Sequence, residues 1–339
     1  MVSILKNEQI DKITWKETIE LSDFISPFQS FEFFQFYNSI SNNRGIIYAA
    51  KEINVIKALC LVTITKEPGM KKWFSSRAII YGGLIITSNE TIYLSMLLNY
   101  IYEDLRKDVI FIEIRNYSNY SNFHKIFLQN NFSYLPYVNY IINFQGQTLN
   151  ELINKMKYNR RREIKLSLTE GATYCEANNL SEVKSLYIIL NKLYKERVKL
   201  PLPKINFFYE VFNTKIGKIF IVKHNTMVIG GSVCFYYPKS YIYTMYYCGL
   251  RDYHKKIFPT HLAILAVIDY GITNNLKGLD LMGAGKLNEE YGVRNYKSEF
   301  GGELIEYGRF LKICKPFLYK LGKNVIEVSK RIKINFSLF

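Results

Sequence analysis

The sequence predicts an α/β protein built from two tandem copies of one unit, each a mixed sheet flanked by helices. Three observations carry this. The same order of elements, β-β-β-α-β-α-β, is read twice along the chain. The copies keep a nearly constant offset: Tyr48 matches Phe220, Tyr81 matches Tyr246, Val109 matches Gly278 and Phe132 matches Phe300, a spacing of 165 to 172 residues. The composition agrees, since 339 residues with 48% hydrophobic and 22% charged supply core for two ordinary domains and exclude a disordered chain.

In the first copy, Ile46–Ala50 and Val55–Thr65 are apolar runs around the polar turn Glu52-Ile53-Asn54, which is the pattern of a hairpin. Ala78–Ile86 is a further strand containing Gly82-Gly83. Thr91–Arg106 has the apolar spacing of an amphipathic helix, Val109–Arg115 is a short buried strand, Ser121–Gln129 a helix and Tyr134–Phe144 a strand. The second copy runs Ile219–Lys223, Val228–Tyr237 and Tyr241–Leu250 as strands. Pro259–Asn274 follows as a helix, Gly278–Met282 as a strand, Glu289–Ser298 as a helical segment and Gly302–Phe310 as the last strand. Hairpins followed by a helix that returns to a parallel strand make the sheet mixed.

Each copy is preceded by helices: Asp11–Ser22 and Phe31–Ile40 in the first, Leu149–Leu168 and Ser181–Val198 in the second. Gly171 and Pro201-Leu202-Pro203 act as stops. The expected organisation is a first unit over 1–147, a second over 148–310, and a basic amphipathic tail over 311–339.

The formal net charge of +16 favours polyanionic partners, although a codon bias toward Lys and Asn would produce it equally well. The five cysteines, Cys60, Cys175, Cys234, Cys248 and Cys314, are odd in number, scattered and without CxxC spacing. The four histidines form no ligand pair. A reduced, cytoplasmic protein with no metal and no resident cofactor is expected. Met1-Val2-Ser3-Ile4 lacks a signal-peptide core, and Leu262–Ile268 reads as a core helix rather than a membrane span.

Four local motifs carry a family resemblance. They are Phe28-Gln29-Ser30-Phe31-Glu32-Phe33, then Tyr158-Asn159-Arg160-Arg161-Arg162-Glu163-Ile164-Lys165 with Gly171 after it, then Gly278-Leu279-Asp280-Leu281-Met282-Gly283, and Gly292-Val293-Arg294-Asn295-Tyr296-Lys297-Ser298-Glu299-Phe300-Gly301-Gly302. With the element order, these resemble tandem GNAT-type acyltransferases of the Fem kind, the peptidoglycan bridge-forming aminoacyl transferases. The last motif is the most specific. The sequence departs from the family at Phe33, where a Trp is common, and at Tyr37, where substrate-binding members have a Lys.

The resemblance implies that Lys297 occupies a catalytic lysine position, where an ammonium would hold a developing oxyanion. A surface lysine paired to Glu299 or Glu303 is the plain alternative. Lys297→Ala is expected to fold normally and lose transfer. Asp280, at the carboxyl end of a short strand, would orient the attacking amine or simply cap a turn. Gly283 and Gly285 are expected to line the substrate through close backbone approach. Gly283-Ala284 fails the phosphate-loop pattern, which needs Lys.

Arg161 and Lys165 are i,i+4 neighbours suited to gripping a diphosphate or a tRNA backbone, or to forming a solvated helix face. Arg197 is a second anion-site candidate by family position. Tyr246, or its neighbour Tyr247, would reach substrate, and Gln29 belongs to the opening motif. His254 and His261 are candidate bases, or else a loop and a helix residue without catalytic work.

The expected function is transfer of an aminoacyl group, from aminoacyl-tRNA, to an amine on an anionic, diphosphate-linked cell-wall or envelope precursor. The first unit would serve the acceptor and the second the transfer. The loops Arg251–Lys256 and Thr87–Glu90 lack the glycines that hold an acyl-CoA pyrophosphate. An acyl-CoA-dependent N-acyltransferase acting on a sugar or lipid is the alternative enzyme, and a non-catalytic membrane-associated binding module is the alternative class. The tail fits peripheral contact with the inner face of a membrane and fits packing on the second unit equally well.

Overall fold

The computed structural model describes residues 2–66, 75–286 and 292–323. Contacts divide the chain into two compact units, Met1–Leu135 with Gly308–Phe339, and Pro136–Tyr307.

The first unit opens with β1 (Val2–Lys6), α1 (Lys12–Glu20), α2 (Phe31–Ser39), β2 (Asn43–Glu52) and β3 (Val55–Thr65). Both helices are started by side-chain caps: Asp11 accepts the Thr14 N–H at 2.9 Å and Ser30 accepts the Phe33 N–H at 3.1 Å. The chain continues through β4 (Arg77–Gly82), β5 (Ile85–Ile86), α3 (Thr91–Leu105), β6 (Phe111–Asn116), α4 (His124–Gln129) and β7 (Ser133–Leu135). Gly82 and Gly83, both at φ +80°, cut the expected single strand 78–86 into β4 and β5. The core of this unit is the face where α3 buries Leu94, Leu97, Leu98 and Ile101 against Ile46, Tyr48, Val62, Ile80 and Ile114.

The second unit begins at β8 (Val138–Asn143), then α5 (Leu149–Lys155), α6 (Tyr158–Thr169), β9 (Ala172–Glu176), α7 (Leu180–Leu193), a π-helical turn (Tyr194–Val198) and α8 (Ile205–Asn213). β10 (Gly217–His224), β11 (Met227–Tyr236), β12 (Tyr241–Gly249), α9 (Pro259–Thr273), β13 (Gly278–Gly283), α10 (Gly292–Ser298) and β14 (Glu303–Glu306) complete it. Pro259 starts α9, where its missing N–H costs nothing, and every residue from Leu262 to Ile268 is buried. No described helix is long and apolar enough to cross a membrane. The expected single helix 149–168 is broken because Met156 is extended, at ψ 155°. That places Met156 in the core and lets the Lys157 N–H donate to Glu299 O at 3.0 Å. Residues 289–291 of the expected segment Glu289–Ser298 lie outside the described residues.

A last strand, β15 (Arg309–Ile313), returns to the first unit, and residues 316–323 are helical. The first sheet runs β1-β2-β3-β4-β6-β15-β7, with β5 beside β3; the second runs β14-β8-β13-β12-β11-β10-β9. The two orders correspond strand for strand once β15 is matched with β8. Each sheet therefore inserts, between its parallel pair and its edge, a strand from the other copy's stretch of sequence.

These pairings differ from the expected breaks at 147/148 and 310/311. Pro136, without an N–H, separates β7 from β8 inside the expected strand 134–144. Gly308, at φ +66° with no room for a Cβ against the Tyr134 ring, separates β14 from β15 inside 302–310. The expected tail thus starts as a strand, with Leu311 and Lys312 buried. Its residues 324–339 lie outside the described residues.

Candidate active site

The site begins where two parallel strands part. β12 and β13 pair at Tyr241↔Gly278, Ile242↔Leu279 and Tyr243↔Asp280, and the described ladder stops there. Just beyond, the β11–β12 register steps from Cys234↔Thr244 to Val233↔Tyr246, leaving Met245 as an extra residue. Such a bulge bends a strand and increases its twist. On the other arm, the β13–β8 register skips from Asp280 to Gly283. Met282 there has φ +58°, a left-handed backbone that costs a non-glycine residue about 1–2 kcal/mol.

Two buried charges hold that kink. The Met282 N–H donates to Asp280 Oδ1 at 2.5 Å. Lys297 Nζ, reaching in from α10, donates to Leu281 O at 2.6 Å, Gly283 O at 2.9 Å and Met282 O at 3.2 Å. An ammonium has three N–H groups, and all three have carbonyl partners. Lys297 is only 3% exposed. Burial pulls its pKa down to about 8, opposed by the charge of Asp280. Burial pushes Asp280 up to about 6, opposed by the Asn139 amide, the Met282 N–H and Lys297. Around neutral pH the pair is mainly ammonium and carboxylate.

Asp280 has a partner that sequence reasoning missed. Asn139 Nδ2 donates to Asp280 Oδ2 at 2.8 Å. Asn139 lies on β8, the strand assigned from sequence to the first unit, so nothing local connected it with Asp280. Tyr307, just before the chain leaves this unit, is pushed above the usual phenol range by burial and by Asp280.

The remaining expected residues are dispersed. Gly283 is in the site as a Lys297 acceptor; Gly285, at φ +80°, accepts the Val138 N–H at 3.1 Å and ties the following turn to β8. Tyr246 lies on the separated arm of β12, half-buried among Tyr194, Phe207 and Phe208 at ring distances of 6.0, 6.2 and 5.6 Å. Arg161 is half-exposed on α6 and donates to Asn154 O at 2.6 Å, while Lys165 is exposed. Arg197 is exposed on the π-helical turn.

The arginine of this run that enters the unit is instead Arg160, buried against Tyr296 and Phe300. Consecutive helical residues project about 100° apart, and three arginines in a row do not reveal which one faces inward. Gln29 lies in the first unit. Its amide accepts the Leu61 N–H at 2.7 Å and donates to Leu61 O at 3.2 Å and Tyr81 O at 2.8 Å, so it is committed to bridging β3 and β4 rather than to substrate.

The first unit supplies an internal control. By the repeat offsets, β4 and β6 correspond to β12 and β13. Here the ladder is longer: β4 and β6 stay paired from Ala78↔Ile112 through Gly82↔Asn116. Ion pairs secure the closed arm, since Glu113 receives Arg115 at 2.8 Å and Arg309 of β15 at 2.9 Å. A fork with a buried acid–base pair belongs to the second unit.

Residues 214–326, which include β10 to α10, match the FemAB family model. Over that third of its length the chain is similar to the FemAB family. Its matched stretch contains both Asp280 and Lys297. The crystal structure of FemX superposes with a TM-score of 0.73 at 13% identity, over 94% of this chain and 99% of that one. A tandem GNAT protein from the clavulanic acid biosynthesis pathway gives 0.57 at 7% identity, over 93% and 99%. L-PGS from Bacillus licheniformis gives 0.56 at 10%, over 92% and 96%. At these identities the likeness is one of fold, and it is the fold of two tandem GNAT-like units. No curated protein sequence matches the chain.

Proposed function

We propose that the second unit transfers an aminoacyl group from aminoacyl-tRNA to an amine of a cell-envelope precursor, at the fork between β12 and β13. The observation that carries this is the fork itself: strands that stay paired in the first unit part in the second, immediately at Asp280. The FemAB match over 214–326 and the fold of FemX support an acyl-transfer reading of that place. Strand edges without a ladder partner offer N–H and C=O groups to an extended ligand.

In the reaction the acceptor nitrogen attacks the ester carbonyl, the C–N bond forms, and the C–O bond to the tRNA ribose breaks. The amine proton passes to the leaving oxygen. Asp280 is the buried carboxylate available to orient the amine and relay that proton. Lys297 supplies fixed positive charge at the end of β13. Its three N–H groups are already on carbonyls, so it acts on the oxyanion through its field, or after releasing Met282 O, the longest of its three contacts at 3.2 Å.

The same contacts revise the expectation that removing this side chain leaves folding untouched, because one buried and two part-buried carbonyls would lose their donor. The test is transfer of labelled amino acid from charged tRNA, beside labelled acyl-CoA, to amine-bearing envelope precursors. Product from charged tRNA alone is expected; product from acyl-CoA alone would reject the donor and leave the N-acyltransferase reading.

A further inference from the structure

A second buried polar cluster in the same unit has no part in the chemistry above. Arg160 on α6 has a side chain only 4% exposed. Its guanidinium bonds the Glu299 carboxylate and the His261 imidazole, and lies 3.5 Å from Glu163. It sits over two rings, with Cζ 4.7 Å from the Tyr296 centroid and 4.8 Å from that of Phe300. Burial and Arg160 hold His261 down at a pKa of about 3, so the ring is neutral and Glu163 and Glu299 balance the arginine. His261 Nδ1 is 3.1 Å from the Tyr296 hydroxyl. Three of the partners, Tyr296, Glu299 and Phe300, belong to α10 and the residues just after it.

Tyr296 and Lys297 are neighbours on α10 and project in different directions. Lys297 holds the end of β13. The Tyr296 ring stacks on Tyr247 of β12, at 6.1 Å and 13° between planes, beyond the point where the strands part. One short helix therefore touches both arms of the fork through consecutive residues, and a planar, forked cation fixes that helix from behind. The seven described residues of this helix are too few to hold their own position. Buried ion clusters commonly add little stability over apolar packing, which leaves geometry as what this one contributes.

We propose that Arg160 is a positioning residue for the transfer site: through Glu299, Tyr296 and Phe300 it sets α10 so that Lys297 and Tyr296 brace the two arms of the fork. The inference rests on the reading of Lys297 as the charged group of that site. Lysine at position 160 would keep the charge but lose the fork that reaches Glu299 and His261 together, so the claim concerns shape as well as charge.

The test follows the ¹³Cε resonance of Lys297, assigned with Lys297→Met, through a pH titration of the full chain, its Arg160→Lys and Arg160→Met variants, and Glu299→Gln as a gentler change. Transfer from charged tRNA is measured in parallel, and cooperative thermal unfolding confirms each variant is folded. The expected result is an upward move of the Lys297 titration in both Arg160 variants, by at least about one pH unit as water reaches Nζ, with transfer slowed about 10- to 100-fold. A smaller shift in the same direction is expected for Glu299→Gln. Folded Arg160 variants in which Lys297 titrates as in the parent would overturn the proposal, whatever their transfer rate. A shifted titration with undiminished transfer would support Arg160's hold on α10 and reject Lys297 as the transfer group.

Discussion

The two units share one strand order and differ in their parallel ladder. In the first, β4 and β6 remain paired over five positions, and Gln29 ties β3 to β4. In the second, the corresponding ladder ends after three, and a buried lysine and aspartate stand where it ends. The same architecture occurs twice, and the parallel ladder is opened in one copy only. The cost of the open copy is visible in Met282's left-handed backbone and in two charges held out of water.

The largest effect expected from breaking this contrast is at Lys297. Lys297→Met should lower transfer about 10²- to 10³-fold, the scale of losing one oxyanion-stabilising group. It should also lower the unfolding free energy by about 1–3 kcal/mol through the unsatisfied carbonyls. Single-turnover kinetics and denaturant unfolding read the two separately. A variant with parental turnover would remove Lys297 from the mechanism.

Asp280→Asn comes next, with a loss of about 10- to 100-fold, and it has a signature in pH. The carboxyl's pKa is about 6 in the folded chain against an ordinary 3.8. Between those values the native state binds more protons than the unfolded one, so its contribution is full below about pH 4 and is lost as pH rises through about 6. Unfolding measured across pH 4–7 should show this decline in the parent and a flatter profile in Asp280→Asn; identical profiles would count against the buried acid.

Gln29→Leu should cost about 1–3 kcal/mol of first-unit stability, from buried backbone groups left unpaired, with little change in transfer. A large rise in acceptor KM without destabilisation would instead restore its expected substrate role. The smallest effect belongs to Lys165→Ala. Exposed on α6, it should change neither stability nor turnover by more than about twofold.

Much of this was legible in the sequence. The element order and offset survive in the structure because buried strands and the apolar helices α3 and α9 leave strong local patterns in both copies. Lys297 and Asp280 stand out in the sequence through the Gly292–Gly302 and Gly278–Gly283 motifs, and the structure buries both at the end of β13. The strand exchange was not legible, since Val138–Asn143 and Arg309–Ile313 are short strands whose mixed apolar and polar residues would suit either sheet, and pairing partners are not written in a strand's own pattern. The edge strands β1 and β9 are short and half-exposed, so their alternation is weak. Asn139 and Arg160 depend on contacts more than 100 residues away.

In the proposed reaction the fork of the second unit holds the group that is transferred. Photo-crosslinking with a tRNA whose aminoacyl group carries a diazirine, followed by peptide mapping, tests this most directly. Crosslinks at residues 244–249 and 281–283 are predicted. Crosslinks confined to the first unit, at the paired strands 78–82 and 112–116, would contradict it.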